Sequence, residues 1–291
     1  MCVRFGLLGP LILEGAPVGS GKIRSLLAAL LTRPGRVVPI DDLKLALWGD
    51  EPPASATASL HNHVARLRRL LDSEDRIRAV PPGYVLRVDP GELDIQVFEV
   101  HARAALDAYN RGDWPVVAEE TAAALALWRG APLSGLYDPE DGEPALVQRL
   151  GETRLLVLEG KYEAELRLGR HERIGPELAA LTGQFPLREA FHRQLMLVLH
   201  RTGRQAEALA VHQRLRRTLV EELGVDPGPA VQEAHREILR EPTPRAKLPA
   251  PAQLPPGPAH FTGRDELVAE LTAVLTRRRG KARPHPAPSA P

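Results

Sequence analysis

Between Ser55 and Leu71 the chain reads SATASLHNHVARLRRLL, with three arginines, an asparagine, two histidines and no acid before Asp72. At about 100° per residue, Leu60, Val64, Leu67 and Leu71 fall on one stripe, the spacing of a helix packed against a core. Opposite that stripe lie Ser55, Ser59, Asn62, Arg66 and Arg69, with Ala58 and Ala65 beside them. His61 and Arg68 take one flank and His63 the other. Ser55 is placed to cap the first turn, and the preceding DEPP (Asp50 to Pro53) blocks an earlier start. The helix then runs about 16 residues, near 25 Å. Such a rod fits a DNA major groove, where Arg clamps guanine and Asn clamps adenine. The plain alternative is an amphipathic helix with a solvated basic face, and this segment alone leaves both open.

Composition narrows the choice only a little. The 291 residues are 43% hydrophobic and 26% charged, enough for two ordinary cores. A net charge of +1 gives no global pull toward nucleic acid or membrane, so any basic function is local. Of the basic residues 33 are Arg and 5 are Lys, beside abundant Ala, Leu and Pro. That bias makes arginine richness by itself weak evidence. The single cysteine, Cys2, excludes an internal disulfide and a cysteine-based zinc cage, and fits a reducing, cytoplasmic setting. No apolar run is long enough to span a bilayer. The opening MCVRFGLLGPLIL has the look of a secretion leader, but Gly9-Pro10 breaks it and Glu14 follows at once, so it reads as two short strands.

The order of elements then follows the chain. Residues 3–8 and 11–14 read as strands, EGAPVGSG as a loop, and Ile23 to Leu31 as a helix. Arg36 to Pro39 is extended, Ile40 to Gly49 a helix, and the arginine helix comes next. RIRAVPPGYVLRV (Arg76 to Val88) reads strand, turn, strand, with Pro82 and Gly83 at the centre of a type II turn. Helix, helix and hairpin in this order make a winged helix-turn-helix. The run from LLAALLTRPGRVV through ALWGDEPP and NHVARLRRLL to PPGYVLRV resembles the OmpR-type winged helix of the actinobacterial antibiotic regulatory proteins, the SARP family. The resemblance covers residues 3–90.

From Asp94 onward the pattern is helical throughout. LGRHERIGPELAAL and TGRQAEALAVHQRL place Gly169-Arg170 and Gly203-Arg204 at the tetratricopeptide period, and a weaker unit surrounds Gly112. Gly203 turns the chain between paired helices, and Ala208 lets them approach. Ile174 occupies the matching place after Gly169, so the middle unit is imperfect. An inserted loop spans about Arg129 to Pro144. Through to EELGVDPGPAVQEAHREIL this half resembles the bacterial transcriptional activation domain that follows the winged helix in SARPs. The fold class is thus mostly α with a small β component, a winged helix-turn-helix followed by an all-α tetratricopeptide-like repeat domain. The expected domains are residues 1–92 and 93–240, then a Pro-rich linker over 241–258 with seven prolines, then a short helix (Phe261 to Leu275) and disordered basic tail over 259–291. That short helix resembles the segment before the nucleotide-binding motif of large SARPs, and implies a shortened family member or a fragment of a signal-responsive ATPase regulator.

Other chemistry finds no support. GAPVGSGKI lacks the spacing and the final hydroxyl of a phosphate-binding loop. His61 and His63, two apart on a helix, point away from each other and cannot share a metal. No catalytic constellation, metal site or cofactor site is expected. For DNA binding, Asn62 and Arg66 are the expected base readers, with Ser59 and Arg69 on phosphates and Ser55 at the same face. Lys22, Arg24, Arg76, Arg78 and Arg87 are further phosphate or minor-groove candidates, with plain surface charge the alternative. The resemblance implies an activator of biosynthetic genes that binds direct repeats in double-stranded DNA beside a second copy of itself, at the nucleoid, and recruits RNA polymerase holoenzyme through its sigma factor. The rival from another class is a tetratricopeptide-type protein–protein adapter.

Overall fold

The computed structural model describes residues 3–137 and 144–240, together with Glu266, Ala269 and Glu270. Those three are helical, and the expectations for the linker over 241–258 and the rest of the tail lie outside the described residues. Residues 1–241 form one compact unit. The chain is mostly helical with two small sheets, a winged helix followed by paired helices.

Three two-residue strands open the chain as an antiparallel meander: β1 (Phe5–Gly6), β2 (Ile12–Leu13) and β3 (Ala16–Pro17). The first two match the expected strands. β3 falls in the segment expected to be loop, because it is an exposed edge whose pairing comes from β2 and not from its own hydrophobicity. α1 (Gly21–Leu31) buries Ile23, Leu26, Leu27, Leu30 and Leu31, the stripe of a core-facing helix. β4 (Val38–Pro39) and α2 (Ile40–Trp48) follow, and then α3 (Ala56–Arg68). The hairpin of β5 (Ile77–Val80) and β6 (Gly83–Leu86) closes a second sheet in the order β4-β6-β5.

The hairpin corrects the expected turn by one residue. Val80 pairs with Gly83, so the connecting residues are Pro81 and Pro82, joined by a cis peptide bond, and Gly83 belongs to the strand. Its glycine is required by packing. A Cβ there would sit 1.8 Å from the Val38 carbonyl oxygen, where β4 crosses β6.

Beyond Leu93 come α4 (Asp94–Arg111), α5 (Trp114–Ala126), α6 (Ala145–Arg167), α7 (Gly175–Gln184), α8 (Glu189–Arg201), α9 (Gln205–Leu223) and α10 (Pro229–Arg240). Gly112, Gly169 and Gly203 all stand at the turns within successive pairs with positive φ, the conformation that the repeat spacing implied. Ala208 is fully buried, and Ile174 is accommodated in the core at its equivalent position. α10 ends the stack by burying Val231, Ala234 and Ile238 on one side. Among the described residues no helix is long and apolar enough to cross a membrane.

The hydrophobic core does not stop where the winged helix ends. One cluster joins Phe5, Leu26, Leu60 and Leu86 to Phe98, Ala124 and Leu150 of the helical half. A polar clasp lies on the same junction. The buried Asp94 carboxylate accepts the backbone N–H groups of Leu7 and Leu8 at 2.8–2.9 Å and the Arg129 guanidinium at 2.9 Å. Arg129 also donates to the Pro10 carbonyl at 2.9 Å, and its own backbone N–H reaches the Leu8 carbonyl at 2.8 Å. Gly9, at φ 148°, lets the chain turn under Arg129, whose Cβ would lie 3.0 Å from any Cβ placed there.

Asp94→Ala leaves two buried amides and a guanidinium without their acceptor. The expected loss is about 3–5 kcal/mol, measured as a shift of the urea unfolding midpoint. Arg129→Ala, at a partly exposed position, costs less.

Candidate nucleic-acid interface

The site is built on α3. Its inner stripe, Leu60, Val64 and Leu67, is buried in the core shared with α1 and α2. Its other side leaves Ala58, His61, Asn62, Ala65, Arg66 and Arg69 exposed, with Ser59 half-buried. Asn62 and Arg66 have no hydrogen-bond or ion-pair partner among the described residues, and Arg69 makes only a 3.3 Å bond to the carbonyl of Ala65 in its own helix. Arg66 and Arg69 also border a cleft of about 670 Å³ against Leu13 to Ser20 and Leu70. The described face thus has two guanidiniums without an acidic partner and an amide in a row on a rod about 20 Å long, with no carboxylate on the helix.

The helix is shorter than expected. It ends at Arg68, and Leu70 and Leu71 lie in the following turn, where Leu71 is still buried. Ser55 stands at the N-cap position but makes no capping bond, a correction to the expected cap. Its ψ of 11° is outside the extended region that aims a side-chain oxygen at the first turn.

Neighbouring groups fix where α3 lies. Arg68 donates through Nε and Nη2 to the Ile77 carbonyl at 3.0 and 2.8 Å, tying α3 to the first wing strand. His61 meets the Tyr84 ring edge-on at 6.4 Å, a second link to the wing. His63 leans on Trp48 at 6.2 Å. Burial, and then the positive charges of Arg66 and Lys22, push the His63 pKa below its ordinary value. At neutral pH it is therefore an uncharged support and adds no charge to the face. Sequence spacing named Arg68 and His61 only as flank residues, since their partners come from a strand formed later in the chain.

The outlying basic candidates separate. Arg78 is exposed on β5 without an acidic partner among the described residues, and Arg87 is exposed with Asp89 3.5 Å away. Arg24 is half-buried at the start of α1. The Lys22 ammonium donates to the Leu47 carbonyl and lies over the Trp48 ring at 5.7 Å, so it fastens α1 to the end of α2. Arg76 is a correction. It is 4% exposed and its guanidinium is held by Glu92 at 2.6 and 2.8 Å, by Asp72 at 3.0 and 3.2 Å and by Asp89 at 3.3 Å. A buried cation enclosed by three carboxylates cannot reach a phosphate, because doing so would break all of these charge-assisted bonds at once.

This network perturbs its members. Hydrogen bonding from Arg76 holds the Asp72 carboxyl down at about 2. Burial opposes ionisation of Glu92, but hydrogen bonds from Arg76 and from the Asp89 amide outweigh it, and its pKa is also lowered.

Against known proteins, residues 18–86 match the family described as "Transcriptional regulatory protein, C terminal" and residues 93–239 the "Bacterial transcriptional activator domain". The regulatory protein DnrI of Streptomyces peucetius is 38% identical over 254 residues, covering 82% of this chain and 92% of its own. This chain belongs to the SARP family of transcriptional regulators. A second SARP relative, the regulatory protein AfsR of Streptomyces coelicolor, is 40% identical over 96% of this chain, which spans only 30% of that relative's length. Among solved structures, Mycobacterium tuberculosis EmbR in complex with a low affinity phosphopeptide superposes with a TM-score of 0.74 at 37% identity, over 82% of this chain and 65% of the other. The wing and α3 are held here by the Arg68 and Arg76 contacts described above.

Because Asp72 and Glu92 have depressed pKa values when folded, their contribution to stability is complete above the ordinary carboxylate range and is lost as pH falls toward about 2. Arg76→Ala should lower stability by roughly 3 kcal/mol at neutral pH, at the low end for a broken buried pair because the acids keep some water. Denaturant midpoints measured across the acid range should fall less steeply in the variant than in the parent.

Proposed function

We propose that the protein is a sequence-specific DNA-binding transcriptional activator. The observation that carries this reading is the acid-free outer face of α3, where Asn62 and Arg66 stand exposed and unpaired on a helix whose opposite side is locked into the core. Unpaired guanidinium and amide groups on a helix of this length match the donor and acceptor edges of guanine and adenine in the major groove. In this reading Asn62 and Arg66 touch base edges and set sequence preference. Arg69, Ser59 and Ser55 lie on phosphates and set register. Arg78 and Arg87 on the wing, with Arg24 in the first turn of α1, contact the flanking backbone. Lys22 takes part only if it leaves Leu47.

Residues 1–92 act as the DNA-binding part and 93–240 as the activation part of one body. The family resemblance supports a target of direct repeats in promoters of biosynthetic genes, such as antibiotic clusters, bound by two copies side by side. It also supports recruitment of RNA polymerase holoenzyme through the sigma factor at the nucleoid.

Selection of bound sequences from random duplexes tests the reading: a recovered direct repeat is expected, and recovery of no preferred sequence would favour an adapter role. In electrophoretic titrations on the recovered site, Arg66→Ala should weaken binding by roughly 1–3 kcal/mol and relax base preference. Arg69→Ala should weaken all sequences alike and reduce the salt slope by about 1. Parent-like binding by Arg66→Ala would remove Arg66 from the reading role.

A further inference from the structure

At the end of the repeats α10 packs against α9, and α8 packs against both. Gln205, His212 and Arg216 share one stripe of α9, at i, i+7 and i+11, and each makes a link across the seam. Gln205 Nε2 donates to the Ile238 carbonyl of α10 at 2.7 Å. Arg216 Nε donates to Asp226, just before α10, at 2.8 Å. Between these two links the half-buried imidazoles of His212 and His235 lie face to face, with centroids 3.9 Å apart and planes 2° from parallel.

The surroundings of this stack favour uncharged rings. Neither imidazole has a hydrogen bond or an acidic partner among the described residues. The acids of the packed helices are engaged elsewhere: Glu189 of α8 accepts the Gly228 N–H at 2.7 Å, Glu207 of α9 pairs with Arg204, and Glu233 of α10 pairs with Arg236. Glu221, Glu222 and Glu237 are exposed, as are Arg214 and Arg217. Burial, then His235 and then Arg216 push the His212 pKa below its ordinary value. From α8 come two further histidines, His200 and the buried His192, whose pKa burial also lowers.

We propose that the His212–His235 stack is an acid-operated latch, which holds α10 on α9 while both rings are neutral and lets α10 part from the repeats when they are protonated. Two imidazolium ions at this separation repel, and no carboxylate stands by to offset them. The other two links do not respond in the same range. An amide–carbonyl bond does not titrate, and Arg216–Asp226 persists until the carboxylate itself takes a proton, whereas histidine changes charge between about pH 5 and 8. A histidine whose pKa is lowered by folding contributes stability that is complete above the ordinary histidine range and is lost as pH falls through it. Parting uncovers Val231, Ala234 and Ile238, which pack with Leu195, Val211 and Leu215 in a core cluster separate from the one around α3. Opening is therefore local to this end of the chain. The inference stands on the helical half and does not depend on the DNA reading.

The test is amide hydrogen exchange on the full chain at about pH 8 and about pH 5.5, on either side of the ordinary histidine value, corrected for the intrinsic pH dependence of exchange. Protection of α10 should fall about tenfold more than that of α1 and α4. In His212→Phe/His235→Phe, which keeps two stacked rings and removes both charges, the extra fall should shrink to less than about twofold. His192 and His200 remain in that variant, so an undiminished fall there would assign the effect to them and overturn the latch. Equal protection of α10 at both pH values in the parent would overturn it, and so would an equal loss in every helix. Proton titrations of the two rings in the parent give a check that needs no variant: each should shift when the other is protonated, and independent titrations would sink the proposal.

Discussion

The carboxylate of Asp94 is the point on which the arrangement of this protein turns. It is the first residue of the first repeat helix, yet its oxygens are occupied by amides 86 and 87 residues earlier in the chain. A buried anion is tolerated only when its acceptor sites are filled, and here two backbone N–H groups and one guanidinium fill them. The N-terminal meander is thereby fastened to the helical half at the place where the apolar core is also continuous. The winged helix is a wall of a larger body, and α3 inherits its support from both halves.

That support leaves a division of labour among the arginines. Arg68 and Arg76 are spent inward, one on a wing carbonyl and one on three carboxylates. Arg66 and Arg69, two residues before Arg68 and one after it, are spent outward. The difference is one of partners, not of residue type. An inward guanidinium holds α3 against the hairpin, so that the outward ones project from a fixed stretch of backbone.

Much of this was legible in the sequence. The two faces of α3 follow from period alone, because a buried stripe of Leu and Val leaves only one side for Asn62 and Arg66. The repeat turns follow as well, since Gly112 and Gly203 occupy a backbone conformation that other residues resist. What escaped depends on distant parts of the chain meeting. Nothing near Arg76 announces that Glu92 lies beside it, and nothing near Lys22 points to the Leu47 carbonyl. The hairpin turn slipped by a residue for the same reason: Gly83 looks like a turn glycine locally, but the crossing of β4 is what forbids a side chain there. β3 is the complement, an exposed pair of residues whose strand character exists only in its neighbour.

The core that runs unbroken from Phe5 to Leu150 carries one more meaning. Proteins that join a DNA-binding module to its effector through a flexible tether can serve widely varied promoter layouts, because the tether absorbs the difference. A body in which both parts share the same packed side chains works instead as a ruler. Whatever the repeat helices touch is presented at a set bearing to the outer face of α3.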